Sequence, residues 1–270
     1  MPLSAPLDPV AGNRLPPVVS GPLPEGQPLL GAVLLLGNFD GFHLGHQALQ
    51  RAARRHAGAR PVAVMSCEPH PRSFFGTEPQ PFRLATAGLK PHLLAVHGID
   101  YIFAPSFDRE FASLLPEAFA DQVLVGWLGV SAVHAGPDFR FGRGRSGDMA
   151  LLCALGRARG FAVGSLAEVT LAGSRASSSA IRDHIRAGDL EAANRLLGEA
   201  WLVEVEEDPS GGLRLHPELC RPRPGRYLAT QERTGGRPVP VIIDPLGGVH
   251  PQGPQHRSPG AGRWRLLAKG

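Results

Sequence analysis

Short apolar segments alternate with amphipathic segments between residues 32 and 163, and this order limits the fold more than any other feature of the chain. The apolar segments have the length of strands and lie at residues 32–36, 61–65, 101–104, 131–135 and 161–163. The segments between them have helical spacing and lie at residues 47–56, 89–97, 116–127 and 148–159. Such alternation favours an α/β fold with a doubly wound parallel sheet, in which ligands bind beyond the carboxyl ends of the strands.

Two flanking segments differ from this pattern. Residues 1–30 are rich in Pro and Gly and lack the basic start and apolar centre of a signal peptide, so we interpret them as a leader. The α/β pattern occupies residues 31–200. Residues 201–270 are again dense in Pro and Gly but contain apolar segments at 225–231 and 239–243, which predict a small β-rich appendage.

The bulk composition argues against several kinds of protein. No apolar stretch reaches the roughly 18 residues of a membrane span. The formal net charge of +4 is small and scattered, which argues against a nucleic-acid partner and suits anionic ligands. Cys67, Cys153 and Cys220 are odd in number and far apart, so we expect neither a zinc motif nor a disulfide framework, and we expect a cytoplasmic protein. The oligomeric state stays open.

A glycine-rich turn connects the first predicted strand to the first helix; residues 37–46 read Gly-Asn-Phe-Asp-Gly-Phe-His-Leu-Gly-His. Such turns bind phosphate, because N–H groups and the dipole at a helix start face the anion and glycine lets the backbone come close. His43 and His46 are three residues apart, so both imidazoles can reach one phosphate group. Histidine pairs at this spacing are usually only solvated, but their position in this turn predicts an ATP site.

Two segments that follow later predicted strands contain further candidate binding residues. Pro69 and Pro71 enclose His70 and fix its backbone, although a tripeptide of this kind more often forms only a rigid loop. The loop at residues 138–145 combines aromatic rings, which suit a flat ligand, with arginines, which suit phosphate. A solvated basic loop is the alternative interpretation of that segment.

The loop also matches the dinucleotide fingerprint through Gly142, Gly144 and Gly147, with Glu168 in the position of the ribose-binding acid. The fingerprint requires its turn directly after a strand, and here residues 137–141 intervene. We therefore do not favour an NAD-type site. Further along, the serine run at residues 177–179 precedes a predicted helix and can cap it or donate to phosphate.

Five segments in chain order resemble the bacterial FAD synthetases, the adenylyltransferase part of the bifunctional riboflavin kinase/FMN adenylyltransferase family. They are residues 37–46, 68–72, 107–111, 136–145 and 177–182. The family belongs to the H-x-G-H nucleotidylyltransferases. The resemblance implies a Rossmann-like domain at residues 31–200 that transfers the AMP part of ATP to FMN, giving FAD and pyrophosphate, with Mg²⁺ bound to ATP.

The resemblance also implies roles for individual residues. The catalytic residues would be His43 and His46. The ATP-binding residues would be Gly37, Asn38, Phe39, Asp40, Gly45, Ser178, Ser179 and Arg182. The residues on the FMN or nucleotide side would be Pro69, His70, Pro71, Asp138, Phe139 and Phe141. It leaves the metal ligands unassigned.

The chain departs from the family pattern at several positions. Cys67 stands where the family usually has Phe, Ser179 replaces Thr and Ala180 replaces Arg or a similar residue. The kinase tetrapeptide P-T-A-N occurs nowhere, so we interpret residues 201–270 as a degenerate riboflavin kinase remnant without a closed barrel or kinase activity. A catalytically inactive flavin- or nucleotide-binding relative, or an enzyme with another phosphorylated acceptor, remains an alternative.

Overall fold

The computed structural model describes residues 15–167, 169–171, 173–232, 237–252 and 260–270. The chain divides into two compact units. The first consists of Met1–Phe39, His46–Thr77 and Pro91–Glu168, and the second of Asp40–Gly45, Glu78–Lys90 and Val169–Gly270. The units are interleaved along the chain, and the domain limits at residues 30 and 200 stay a prediction.

A six-stranded parallel sheet forms the centre of the first unit. Its strands are β1 (Val18–Val19), β2 (Val33–Leu36), β3 (Val62–Met65), β4 (Tyr101–Phe103), β5 (Ala132–Ala135) and β6 (Ala162–Ser165). They lie in the order β1-β4-β3-β2-β5-β6, and every neighbouring pair is parallel. The predicted α/β sheet is therefore confirmed. Strand β1 escaped prediction because it is only two residues long and lies in a Pro-rich segment.

Helices connect these strands. They are α1 (Leu44–Ala57), α2 (Pro71–Phe74), α3 (Lys90–Ala95), α4 (Arg109–Ser113), α5 (Pro116–Ala118), which continues as a π-helical stretch over Phe119–Trp127, and α6 (Met149–Arg159). Side-chain caps define several ends: Asp148 accepts from the Leu151 N–H at 2.9 Å, and Gly160 ends the same helix in the left-handed region. Helices α2 and α4 are too short for their periodicity to be recognised.

The core of the first unit consists of the central strands and the apolar faces of the helices. Strands β2, β3 and β5 are buried along their whole length, as expected for parallel strands covered on both faces. Phe119, Val123 and Leu124 of the π-helical stretch and Leu152 of α6 pack into this core.

The second unit contains two helices and an antiparallel sheet. Its elements are β7 (Thr170–Leu171), β8 (Ser174–Arg175), α7 (Ser178–Ala187), α8 (Leu190–Leu197), β9 (Trp201–Glu207), β10 (Leu213–Leu215), β11 (Gly225–Gln231), β12 (Val239–Ile243), β13 (Val249–Pro251) and β14 (Gly262–Lys269). Six strands form one sheet in the order β10-β9-β14-β11-β12-β13. The predicted strands β11 and β12 are confirmed.

This sheet closes on itself, which corrects the expectation of an unclosed remnant. The edge strands meet at a bridge between Arg214 and Gly248, and the Leu215 N–H donates to the Gly247 carbonyl at 2.8 Å. Strands β9, β10, β13 and β14, which the Pro- and Gly-rich composition concealed, supply the missing partners. The core includes Trp201, Trp264 and Tyr227, and α7 and α8 add Ile181, Ile185 and Leu196. We call this closed sheet the C-terminal barrel.

Close packing between β5 and β6 provides a test of the parallel sheet. His134 of β5 is buried and pairs in register with Gly164 of β6, where a Cβ atom would lie 2.4 Å from the imidazole. We expect Gly164→Ala to lower the free energy of unfolding by about 1–3 kcal/mol, because the ring must leave its position. Urea denaturation measures the loss. Gly21→Ala is the control, since nothing lies within 4 Å of a Cβ there; equal losses would contradict the packing.

Candidate active site

The predicted motifs of the first unit follow the carboxyl ends of its parallel strands. Gly37 follows β2, Glu68 lies three residues after β3, and Gly136 follows β5. The segment Phe107–Phe111 comes after β4. Parallel strands end at the same edge of a sheet, so these segments share one edge, where ligands of open α/β sheets bind.

Hydrogen bonds join the loops at this edge. The Ser66 hydroxyl donates to the Asn38 carbonyl at 3.2 Å. The Glu68 N–H donates to the Pro105 carbonyl at 3.2 Å, and the Phe107 N–H donates to the Glu68 carbonyl at 2.8 Å. Backbone hydrogen bonds therefore join the loops after β3 and β4, and the Ser66 side chain joins the loop after β3 to the loop after β2.

Phe39 has a conformation that is rare for a residue with a side chain. Its φ is 46°, in the left-handed region, and its buried ring packs 4.8 Å from the His46 imidazole, centroid to centroid. A Cβ on Gly37 would lie 3.3 Å from the same ring. Phe39 and Gly37 thus shape the turn and support His46 rather than presenting an open surface.

The structure places His70 as the cap of helix α2, with Pro71 at its first turn and Pro69 exposed before it. The buried His70 accepts a hydrogen bond at Nδ1 from the Arg72 N–H at 3.1 Å. A neutral ring must then carry its proton on Nε2. Cys67, the departure from the family pattern, is buried in the core of the first unit.

A row of phenylalanine rings lies along the carboxyl edge, and most of it was missed in the sequence. Ring centroids are 5.4 Å apart between Phe74 and Phe107, 6.0 Å between Phe107 and Phe111, and 6.2 Å between Phe111 and Phe119. We define the aromatic row as Phe74, Phe75, Phe107, Phe111, Phe119, Phe139 and Phe141.

The aromatic row begins at a solvent-exposed end. Phe75 is 59% exposed, and at the other end Phe139 stacks on Phe141 with 10° between their planes. Asp138, next to Phe139, is exposed. The sequence signal was the repetition of Phe after several strands. From the sequence, only Phe139 and Phe141 of the row were named as site residues, and Phe107 and Phe111 were included only within a family-like segment. The other rings lie far apart in the chain and meet only in the fold.

Asp40 organises the second unit's part of the glycine-rich turn. Its Oδ1 atom accepts from the Leu84 N–H at 2.8 Å and the Ala85 N–H at 3.0 Å. Its Oδ2 atom accepts from Arg182 Nη1 at 3.1 Å, and its carbonyl accepts from the Ser178 hydroxyl at 2.8 Å. The turn and the start of α7 are therefore directly bonded through Asp40.

Burial and charge act in opposite directions on Asp40. Its exposed fraction is 3%, and burial raises its pKa, while Lys90, the Ala85 N–H, Arg182 and Arg83 act against that rise. Three hydrogen bonds donated to its carboxylate, one of them from the Arg182 guanidinium, favour the ionised form. The Asp40 carboxylate therefore bonds to residues of its own unit and is not presented to solvent.

Arg182, predicted to contact phosphate, is only 2% exposed. Besides Asp40 it lies 3.6 Å from a carboxylate oxygen of Glu78, and its Nη2 donates to the Ser179 hydroxyl at 3.2 Å. Its guanidinium carbon also lies 5.6 Å from the centre of the Phe82 ring. Its charge thus already faces two carboxylates of its own unit, and the phosphate role stays a prediction.

His43 is held neutral by its surroundings. Its exposed fraction is 7%; burial first, and then the positive charge of Arg175, lower its pKa to about 4. Gly45 makes room for the ring, since a Cβ there would lie 3.0 Å from it. Gly41 has a φ of +67°, and a Cβ there would lie 2.9 Å from the Leu84 side chain. Arg175 was missed because nothing in its local sequence distinguishes it from other arginines.

A family model described as FAD synthetase matches residues 27–180. The chain belongs to the FAD synthetase family. The resemblance of the five ordered segments is therefore confirmed, and curated relatives align over most of the chain.

Two relatives show the extent of this similarity. The bifunctional riboflavin kinase/FMN adenylyltransferase of Escherichia coli (strain K12) is 40% identical over 230 residues, covering 80% of this chain and 73% of the relative. The protein of that name from Listeria monocytogenes is 33% identical over 221 residues, covering 77% and 69%.

A solved structure supports the fold independently. A crystal structure titled macrolide-efflux protein, from Streptococcus pneumoniae, superposes with a TM-score of 0.76 at 20% identity, covering 95% of this chain and 91% of that one. At this identity the likeness concerns the fold alone. The superposed part includes residues of both units of this chain.

The dinucleotide fingerprint is contradicted by the position of its glycines. Gly142 lies seven residues after the end of β5, and the loop is instead closed by a bridge between Phe141 and Gly147. Helix α6 starts at Met149 and is capped by Asp148, so all three glycines precede the helix. Glu168 lies outside the described residues.

Within the described ranges, no group of three or more His, Cys, Asp or Glu side chains could hold a metal ion. In the same part of the chain, no helix has the length and apolar character required to cross a membrane.

The buried, neutral state of His43 predicts a pH effect on stability. An unfolded histidine binds a proton below about pH 6.5, whereas folded His43 does so only below about pH 4. The unfolded state therefore binds more protons in this window, and the free energy of unfolding falls as the pH is lowered through it. Between pH 7.5 and 5 we expect the wild type to lose about 2 kcal/mol more than His43→Gln.

Urea denaturation of both proteins at the two pH values measures this difference. The variant is the control for every other titrating group, because those groups are common to both proteins. If the two stability curves ran parallel, His43 would have an ordinary pKa in the folded protein.

Proposed function

We propose that the protein is an FMN adenylyltransferase, which converts ATP and FMN to FAD and pyrophosphate. The observation that carries the proposal is the H-x-G-H turn of a FAD synthetase family member, placed between a buried parallel strand and the start of α1. Both histidines are present, which favours an active enzyme over a relative that only binds flavin.

The terminal phosphate oxygen of FMN would attack the α-phosphorus of ATP in line, so no covalent enzyme intermediate is required. The task of the protein is then to align two anionic substrates and to stabilise charge that develops on the α-phosphate. His43 and His46 are the proposed donors to this phosphate. Because His43 is neutral at pH 7, it would contribute a hydrogen bond rather than a positive charge.

The glycine-rich turn and the start of α7 are the proposed ATP side. Gly37, Asn38, Phe39, Asp40 and Gly45 would shape the turn around the nucleotide, and the hydrogen bonds of Asp40 support this role. Ser178, Ser179 and Arg182 would face the leaving pyrophosphate. The capped N-terminus of α7, with Ser177 accepting from the Ala180 N–H at 3.2 Å, supports an anion there.

The aromatic row is the proposed support for the flavin ring system. A fused planar ring favours stacking and edge contacts with aromatic side chains, and the exposed Phe75 provides such a face. Pro69, His70 and Pro71 precede this part of the row, while Asp138, Phe139 and Phe141 lie towards its other end. These residues would border FMN.

Mg²⁺ is proposed as the ion that accompanies ATP and neutralises pyrophosphate charge. Mg²⁺ usually keeps several waters and binds through substrate phosphates with one or two carboxylates. No residue of the chain is assigned to it.

The proposed partners are therefore the small molecules ATP and FMN, without nucleic acid or membrane. The cytoplasm is the proposed location. The three free cysteines, of which Cys67 and Cys220 are buried, fit a reducing compartment.

The direct test incubates the purified protein with ATP, Mg²⁺ and FMN and follows FAD and pyrophosphate. We expect both products in equal amounts. Pyrophosphate release with another phosphorylated acceptor but not with FMN would replace the proposed substrate. Binding of both ligands without any product would indicate an inactive relative.

His46→Ala tests the proposed chemistry. We expect kcat to fall roughly 100- to 1,000-fold with little change in ATP affinity, because the contact should strengthen only in the transition state. Steady-state kinetics and equilibrium titration with ATP separate the two effects. His56→Ala, an exposed histidine in the last turn of the same helix, is the control. An unchanged kcat with a raised KM for ATP would contradict this role of His46.

We also expect the protein not to phosphorylate riboflavin. Transfer to the ribityl hydroxyl requires groups that anchor the metal and the nucleotide, and residues 201–270 contain neither P-T-A-N nor any asparagine. The assay supplies riboflavin, ATP and Mg²⁺ and measures FMN. The bifunctional relative from Escherichia coli serves as the positive control. Accumulation of FMN by the pure protein would contradict the interpretation of the C-terminal barrel as a degenerate kinase.

A further inference from the structure

The segment at residues 82–86 lies between Asp40 and the C-terminal barrel, and all three belong to the second unit. Every residue of this segment is buried. On one side, the Leu84 and Ala85 N–H groups donate to Asp40. The Leu84 side chain also occupies the space that a Cβ on Gly41 would require. The position of the glycine-rich turn therefore depends on the position of Leu84 and Ala85.

On its other side the same segment is bonded to the barrel. The Trp201 indole Nε1–H donates to the Leu84 carbonyl at 2.9 Å. The Arg83 N–H donates to the Glu218 carbonyl at 3.0 Å, and the Cys220 N–H donates to the Arg83 carbonyl at 2.8 Å. These bonds add the segment to the barrel almost as a short extra strand.

Side chains provide a second connection. The buried Thr86 hydroxyl donates to a carboxylate oxygen of Glu204 in β9, and it accepts from the Leu89 N–H at 3.1 Å. Trp201 and Glu204 lie on the same strand, three residues apart. One strand of the barrel thus contacts the segment twice, at Leu84 and at Thr86.

The backbone groups of Leu84 connect the barrel directly to Asp40. The Leu84 carbonyl binds Trp201 and its N–H binds Asp40, so one residue joins the barrel to the turn. Trp201 is 2% exposed, so no bulk water could replace its N–H without rearrangement. A buried carbonyl without its donor is unfavourable, and the segment would shift to find another partner.

We propose that Trp201 is a positioning residue for adenylyl transfer: through Leu84 and Asp40 it holds the glycine-rich turn that carries His43. The C-terminal barrel, which lacks the kinase tetrapeptide, thereby acts as the support of the ATP-binding turn. The kinetic part of this inference rests on the proposed function, but the mechanical coupling does not.

The test compares Trp201→Phe with Trp264→Phe. Both tryptophans are buried in the same barrel, and both donate to a backbone carbonyl, but Trp264 donates to Gly260 at 3.1 Å. We expect Trp201→Phe to accelerate amide hydrogen exchange at Leu84 and Ala85 at least tenfold and to lower kcat for FAD formation at least tenfold. Trp264→Phe should change neither, even where it lowers the melting temperature equally.

Thr86 provides a second route that leaves the barrel core intact. Thr86→Val should accelerate exchange in the same segment, and Thr86→Ser, which keeps the hydroxyl, should restore the wild-type rate. Unchanged exchange in both Trp201→Phe and Thr86→Val, or equal effects of the two tryptophan variants, would overturn the proposal. If the wild type makes no FAD, the proposed function fails, while the exchange rates still decide the coupling.

Discussion

The second unit's part of the candidate site depends on the hydrogen bonds of the buried Asp40 carboxylate. This carboxylate receives two backbone N–H groups from residues 84 and 85 and one N–H of Arg182. A buried carboxylate is stable only where such donors replace water, and loss of one partner of a buried ion pair typically costs about 3–5 kcal/mol. The turn, the segment at residues 82–86 and helix α7 are therefore energetically linked through one side chain.

The two units contribute different kinds of surface. The first unit presents loops at the carboxyl edge of a parallel sheet, joined by backbone hydrogen bonds and lined by the aromatic row. The second unit contains a charged, hydrogen-bonded turn whose histidine stays neutral. An apolar surface suits a flavin ring, and a glycine-rich turn suits phosphate.

The buried charges also show that motif residues make contacts within the protein itself. Arg182 and Ser178 were assigned to ATP because they resemble a family motif, and in the structure both bind Asp40. Motif residues can serve a site by contact or by fixing the residues that make contact. The C-terminal barrel fits the second description, since it bonds to residues 82–86, which in turn bond to Asp40.

The sequence alone determined the parallel sheet, four of its connecting helices, the strands β11 and β12, and the family, because these depend on local periodicity and on contiguous motifs. Strand β1, the barrel closure and the aromatic row were decided only by the tertiary structure. They arise from pairings and ring contacts between residues far apart in the chain. The same holds for the neutral state of His43 and for the hydrogen bonds of Asp40. Both depend on burial and on partners from distant segments of the chain, which no local sequence pattern shows.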